Sequence, residues 1–215
     1  MKALLFPGQG SQSVGMVKEF HHEFKIVKSI FEEADDNLKF HLSKIILEGP
    51  EEDLKLTKNT QPAILTASFS IFEVLKKEFN YDLNKIKFHA GHSLGEYSAL
   101  LCAEALKFSD TIKLVYERGL AMQEAVPVGK GAMLAILNTP VNELEKILKE
   151  IKTDKEIIEI ANDNNNSQII VSGEINMINK LQSYCQKIKI KNILLPVSAP
   201  FHCSLMKAAS DRMED

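Results

Sequence analysis

Residues Gly91-His92-Ser93-Leu94-Gly95 set a serine between two glycines, directly after the largely apolar run 86–90 and before the helix-like stretch Tyr97-Ser98-Ala99-Leu100-Leu101. Strand, sharp turn and helix in that order are the context that a G-x-S-x-G nucleophile elbow requires. A turn this tight leaves no room for a side chain on either flank of the serine. The serine hydroxyl is then lifted clear of the sheet. The first backbone N–H groups of the helix face whatever anion forms beside it. A plain tight turn is the alternative that the pentapeptide alone leaves open. The flanking strand and helix favour a catalytic Ser93.

The rest of the chain suits that element. A length of 215 residues can build one sizeable core or two small ones. Strands are expected at 2–6 and 86–90, with helices at 23–39, 60–79, 94–106 and 109–125. Thr60 reads as an N-cap with Pro62 in the first turn, and Ser109 as a second cap. Strands alternating with helices imply a mainly parallel sheet covered on both faces.

Pro127-Val128-Gly129-Lys130-Gly131 interrupts this texture. Beyond it come a strand at 132–137, a helix at 141–151, a strand at 157–161 and a turn-rich asparagine loop. A strand at 168–172, a helix at 174–186 and a strand at 193–197 complete the series. The order βαββαβ is that of a ferredoxin-like unit. The expected organisation is thus a large α/β subdomain of residues 1–126 and 198–215, with a ferredoxin-like insert at 127–197.

Composition excludes several function classes. The net charge of −3 and the lack of any Lys/Arg block argue against nucleic-acid binding. The apolar start at Lys2–Phe6 is too short for a signal-peptide core, and no run of about 18 apolar residues could span a membrane. Cys102, Cys185 and Cys203 are widely spaced, without metal-ligand spacing, and read as reduced thiols of a cytoplasmic protein.

Three further segments carry candidate chemistry. Phe6-Pro7-Gly8-Gln9-Gly10-Ser11-Gln12 follows the first strand. Alone it is a turn, but an acyl-transfer serine needs a second N–H donor from a neighbouring strand-end loop. A serine nucleophile also needs a base, and His is the usual one. His21, His22 and His41 lie in polar helical stretches. His89 sits in a strand, and His92 is too constrained on the elbow to turn back on Ser93. His202, in Ser198-Ala199-Pro200-Phe201-His202-Cys203, is the best-placed candidate. Arg118 and Arg212 are the only arginines. Arg118 reads either as a surface residue paired with Glu117 or Glu124, or as a planar fork for a substrate carboxylate.

Together these residues resemble the malonyl-CoA:acyl carrier protein transacylases and, more broadly, the acyltransferase domains of polyketide and fatty acid synthases. The resemblance rests on six ordered motifs: residues 6–12, Thr60-Gln61-Pro62-Ala63, residues 91–96, Arg118-Gly119 with Met122-Gln123, Asn162 with 168–173, and residues 198–202. It implies an α/β-hydrolase-like large subdomain, and malonyl transfer from malonyl-CoA to the phosphopantetheine thiol of acyl carrier protein in fatty acid biosynthesis. By position it implies Ser93 as nucleophile and His202 as base and then acid. The backbone N–H groups of Gln9 and Leu94 would form the oxyanion hole. Arg118 would hold the malonyl carboxylate, with Gln61 and Asn162 nearby. Leu94 and Phe201 resemble variants that take malonyl rather than methylmalonyl units. No metal or redox cofactor is implied.

Acyl carrier proteins are acidic as a class, so Lys187, Lys189 and Lys191 form an expected docking edge. Alternating Lys and Ile at 187–191 also reads as a half-buried edge strand. Two other classes remain in view. A serine esterase would carry an acidic triad member between Ser93 and His202, where the βαββαβ segment lies instead. A non-catalytic carrier-docking module would not need Ser93, His202 and Arg118 together. Family members continue past the histidine, whereas this chain stops at 215 in helix-like sequence, and reads as C-terminally incomplete. On its own it is expected to be weakly stable and slow, with His202 on a tail tethered at one side only. A monomer is expected when complete.

Overall fold

Two short strands whose paired positions lie about 85 residues apart cannot form a hairpin, and they pair in parallel across a helical crossover. The structure is a computed structural model that describes residues 2–153, 155–197 and 199–214. Its contacts divide the chain into two compact units, Met1–Leu120 and Ala121–Asp215.

In the first unit, β1 (Lys2–Phe6) pairs with β2 (Ile86–Gly91), with Leu5 opposite Ala90 and Phe6 opposite Gly91. Five helices connect them: α1 (Lys18–Glu23), α2 (Lys25–Leu38), α3 (Leu42–Glu48), α4 (Glu51–Lys55) and α5 (Thr57–Lys77). After β2 come α6 (Gly95–Cys102) and α7 (Phe108–Glu124). Val27, Ile30, Phe31 and Ala34 recur on one stripe of α2 and are buried against Ile64 and Leu65 of α5, with Leu101, Ile112 and Val115. A second cluster sets Phe6 against Phe72, Ala99 and Cys102.

In the second unit, β3 (Gly131–Leu137), α8 (Val141–Ile151), β4 (Ile158–Asn165), β5 (Gln168–Glu174), α9 (Ile175–Lys187) and β6 (Asn192–Leu194) follow one another. The sheet order is β4-β5-β3-β6, all antiparallel, as a split βαβ unit requires. Residues of β3 alternate between two cores. Ala132, Leu134 and Ile136 pack with Leu144 and Ile147 of α8 and with Ile178 and Leu181 of α9. Met133 and Ala135 pack with Ala121, Met122, Phe201, Met206 and Ala209. Helix α10 (Lys207–Glu214) closes this unit, and Arg212 pairs with Glu124 at 2.8 Å.

The fold class expected from sequence is therefore the one found, with differences of detail. By packing, residues 199–214 and the end of α7 group with the second unit, so the contact boundaries differ from 1–126 plus 198–215. The reason is that Phe201, Met206 and Ala209 cover a sheet face that the two βαββαβ helices leave open. Helix α5 starts at Thr57, so Thr60 is not a cap; its hydroxyl donates to the Leu54 carbonyl at 2.6 Å. Ser109 lies inside α7. Strand β4 runs through Asn162–Asn165, which read as loop because asparagine disfavours strands. Residues 187–191 are a helix end and a turn, with Lys189 at φ 62°, rather than an edge strand.

One face of the parallel pair is uncovered: Leu5 is 78% exposed and Phe88 58%. Parallel sheets are normally buried on both faces. The 215-residue chain should therefore bind a hydrophobic dye and associate with rising concentration. Replacing both residues, Leu5→Ser and Phe88→Ser, should reduce both signals without loss of helical circular dichroism. Unchanged dye binding in that double variant would place the exposed surface elsewhere.

Candidate active site

Ser93 stands at φ 54°, in the left-handed region that costs a non-glycine residue on the order of 1 kcal/mol or more. Backbone contacts on both sides hold it there. The His92 N–H donates to the Phe6 carbonyl at 3.1 Å, tying the elbow to the end of β1. The Glu96 N–H donates to the Ser93 carbonyl at 3.0 Å, starting the helix immediately. A side chain at Gly91 would overlap the Gly95 carbonyl, and one at Gly95 would overlap the Phe6 carbonyl. Leu94, buried to 1% exposure, drives the turn into the core of the first unit.

The loop after β1 lies against the same turn: a Cβ at Gly8 would stand 2.5 Å from the His92 carbonyl oxygen. Ser11 Oγ donates to the Gly8 carbonyl at 2.9 Å, and Gln9 Nε2 to Thr57 Oγ1 at 3.4 Å, which fix the loop's course. Among the described residues, neither the Gln9 nor the Leu94 backbone N–H donates to another backbone group. Two uncommitted donors near a serine suit an oxyanion.

Helix α7 delivers Arg118 to this serine. Its Nη1 donates to Gln61 Oε1 at 2.7 Å and its Nη2 to Ser93 Oγ at 3.2 Å. Gln61 itself is 1% exposed, on the second turn of α5. The guanidinium carbon lies 5.6 Å from the centre of the Tyr97 ring. Burial lowers the Arg118 pKa, while Tyr97 and then Glu96 act in the opposite sense. The group remains a cation at neutral pH. A half-buried, oriented guanidinium at hydrogen-bond distance from a serine hydroxyl has the geometry to receive a carboxylate.

The remaining candidates belong to the second unit. His202 is exposed on the turn between β6 and α10, at φ 59°. Its neighbours anchor it on both sides, which corrects the expectation of a tail tethered at one side. Phe201 is buried at 6% exposure with Met133 and Ala135. The Ser204 N–H and Oγ donate to the Glu159 carboxylate at 2.8 and 2.7 Å. Ser198 of the same motif lies outside the described residues. Asn162 is half-buried in β4, paired with Ile170 beside a register shift. Lys187, Lys189 and Lys191 are all exposed. No group of three His, Cys, Asp or Glu residues that could hold a metal occurs among the described residues. Nor is any described helix long and apolar enough to cross a membrane.

Sequence reasoning passed over Tyr97, Thr57 and Glu159. Only Tyr97 had a signal: it stands four positions after Ser93 on an expected helix, a spacing that puts both on one face.

Comparison with known proteins agrees with this picture. Residues 3–215 match the family described as acyl transferase domain. The chain is 41% identical over 215 residues to the malonyl CoA-acyl carrier protein transacylase of Bacillus subtilis, covering 99% of this chain and 66% of that one. It is 42% identical over 212 residues to the transacylase of Haemophilus influenzae, covering 98% and 67%. Among solved structures, the Coxiella burnetii transacylase matches with a TM-score of 0.93 at 41% identity, over 98% of this chain and 66% of that one. A type II polyketide acyl carrier protein in complex with its malonyl-transacylase matches at 0.92 and 40%, over 98% and 67%. The chain thus spans about two thirds of the length of these relatives.

The Arg118 geometry depends on a close crossing of α7 and α5. A Cβ at Gly119 would stand 2.6 Å from Lys58 Cα and 2.7 Å from the Thr57 carbonyl oxygen, both backbone. Gly119→Ala should force the helices apart, cost roughly 1–3 kcal/mol in urea unfolding and lengthen the Arg118–Gln61 contact. An unchanged midpoint, with the 2.7 Å contact intact in a crystal structure, would contradict this reading.

Proposed function

The chain belongs to the acyl transferase domain family, and from that premise we propose that this protein transfers a malonyl group from malonyl-CoA to the phosphopantetheine thiol of an acyl carrier protein. The observation that carries the reading is Arg118, bridging Gln61 and the Ser93 hydroxyl, because a guanidinium there selects an acyl group with its own carboxylate. The transacylases at about 40% identity support the activity, and the similar transacylase solved with its acyl carrier protein supports the acceptor.

The proposed reaction has two halves. Ser93 Oγ attacks the thioester carbonyl while His202 takes its proton. The oxyanion is met by the Gln9 and Leu94 N–H groups, and the carbon–sulfur bond breaks as the CoA sulfur leaves with a proton from His202. The carrier thiol then gives a proton to His202 and attacks the malonyl-serine ester, which restores the Ser93 hydroxyl. Gln61 holds the guanidinium, and the proposal also assigns substrate contacts to Asn162 and Phe201. The chemistry requires no metal or redox cofactor. A cytoplasmic, monomeric enzyme of fatty acid biosynthesis is the accompanying proposal.

Incubation with malonyl-CoA should leave a malonyl ester on Ser93, read by intact mass and peptide mapping, and Ser93→Ala should abolish it. An adduct that persists in Ser93→Ala would sink the assignment of the nucleophile. For the carrier, exposed Lys187, Lys189 and Lys191 offer a cationic turn to an acidic partner. Charge reversal by Lys191→Glu should raise the carrier-protein KM several-fold at low salt and less at high salt, since steering is screened. A KM unchanged at both salt concentrations would remove Lys191 from the interface.

A further inference from the structure

Tyr97 lies at the Ser93–Arg118 pair and has no part in the proposed reaction. It lies in α6, one helical turn beyond Ser93, and its half-buried ring packs against the core cluster of the first unit that includes Leu94 and Leu101. That packing fixes the ring independently of any substrate. The Arg118 guanidinium carbon stands 5.6 Å from its centre, within the range at which an aromatic face attracts a cation. The attraction is larger where the cation is withdrawn from water, and burial is the leading influence on Arg118.

Among the described residues, three side chains contact the guanidinium. Gln61 accepts from Nη1, Ser93 Oγ accepts from Nη2, and the Tyr97 ring lies against the cation. Gln61 fixes only one arm. The contact to Ser93 Oγ is disturbed whenever that oxygen becomes an ester oxygen, because the acylated atom is a poorer acceptor. The contacts to Gln61 and to the Tyr97 ring are unaffected by the state of Ser93, and of these two only the ring lies against the guanidinium as a whole. We infer that Tyr97 is a positioning residue that holds the Arg118 guanidinium in place throughout the acyl-serine cycle, and thereby sets the preference for acyl groups bearing a carboxylate over neutral ones. The inference rests on the malonyl-transfer reading and names a determinant of its selectivity.

The experiment compares Tyr97→Phe, Tyr97→Leu and replacement of Tyr97 by pentafluorophenylalanine in the intact enzyme. The fluorinated ring keeps the shape and packing but reverses the electrostatics of the face, so a folding defect in Tyr97→Leu does not end the test. The readout is the ratio of kcat/KM for malonyl-CoA to that for acetyl-CoA. Tyr97→Phe should hold the ratio within about twofold. Tyr97→Leu and the fluorinated ring should lower it about tenfold, through the malonyl-CoA KM. A merely structural tyrosine would lower both substrates together and leave the ratio unchanged, which would overturn the inference. A fall in the ratio for Tyr97→Phe as large as for Tyr97→Leu would also overturn it, by assigning the effect to the hydroxyl.

A substrate-free readout separates this inference from the activity on which it rests. The guanidinium N–H resonances of Arg118, assigned by their loss in Arg118→Lys, should be resolved in the wild type and merge with the fluorinated ring as guanidinium rotation speeds up. If they stay resolved, Tyr97 does not hold the group. Wild-type protein that forms no malonyl ester on Ser93 would count against the function, while these resonances would still judge Tyr97.

Discussion

Backbone meeting backbone at the elbow is the constraint on which the site depends. Gly91 and Gly95 pack so closely that a methyl group on either would overlap a carbonyl, and the His92 N–H bonds the end of β1 directly. This contact does three things at once. It forces Ser93 into a left-handed conformation, it starts α6 without an intervening loop, and it brings the Gln9 loop alongside the serine. The strain at Ser93 is sustained because Leu94 is buried in the core and cannot relax outward.

Arg118 depends on a second close approach, where Gly119 lets α7 cross the start of α5. That crossing places the half-buried cation. Desolvation works against the charge, while Tyr97 and then Glu96 act in the opposite sense; Gln61 and Ser93 accept hydrogen bonds from the guanidinium, and the Tyr97 ring lies against it. A cation held this way is organised before any acyl group arrives, so binding a carboxylate does not require the side chain to be ordered at the same time.

Much of this was legible in the sequence, for identifiable reasons. The elbow was readable because its steric demand is local: only glycine fits on either side of Ser93. The βαββαβ unit was readable because its helices are strongly amphipathic, with Leu144, Ile147, Leu148 and Ile151 on one stripe of α8. Other features depend on distant partners and left no local trace. Strand β4 continues through asparagines because β5 pairs with them, against their own preference. Thr60 looked like a cap but sits inside α5, donating to the carbonyl of Leu54. The anchoring of His202 was hidden because Glu159, which holds Ser204, lies 45 residues earlier on another element. Arg118 was legible only as an alternative between surface and site, and the 2.7 and 3.2 Å contacts put its guanidinium beside Gln61 and Ser93.

The central claim is that a guanidinium poised at Ser93 selects the acyl group by its carboxylate. Measuring kcat/KM for malonyl-CoA and acetyl-CoA in the wild type and in Arg118→Ala tests it most directly. A charge-assisted pair in a desolvated site contributes about 1.5–3 kcal/mol, so malonyl-CoA should lose roughly 10- to 100-fold. Acetyl-CoA, which has no carboxylate to lose a partner, should fall far less, and the preference should shift towards it. Equal losses for the two substrates would contradict the account and make Arg118 a structural residue.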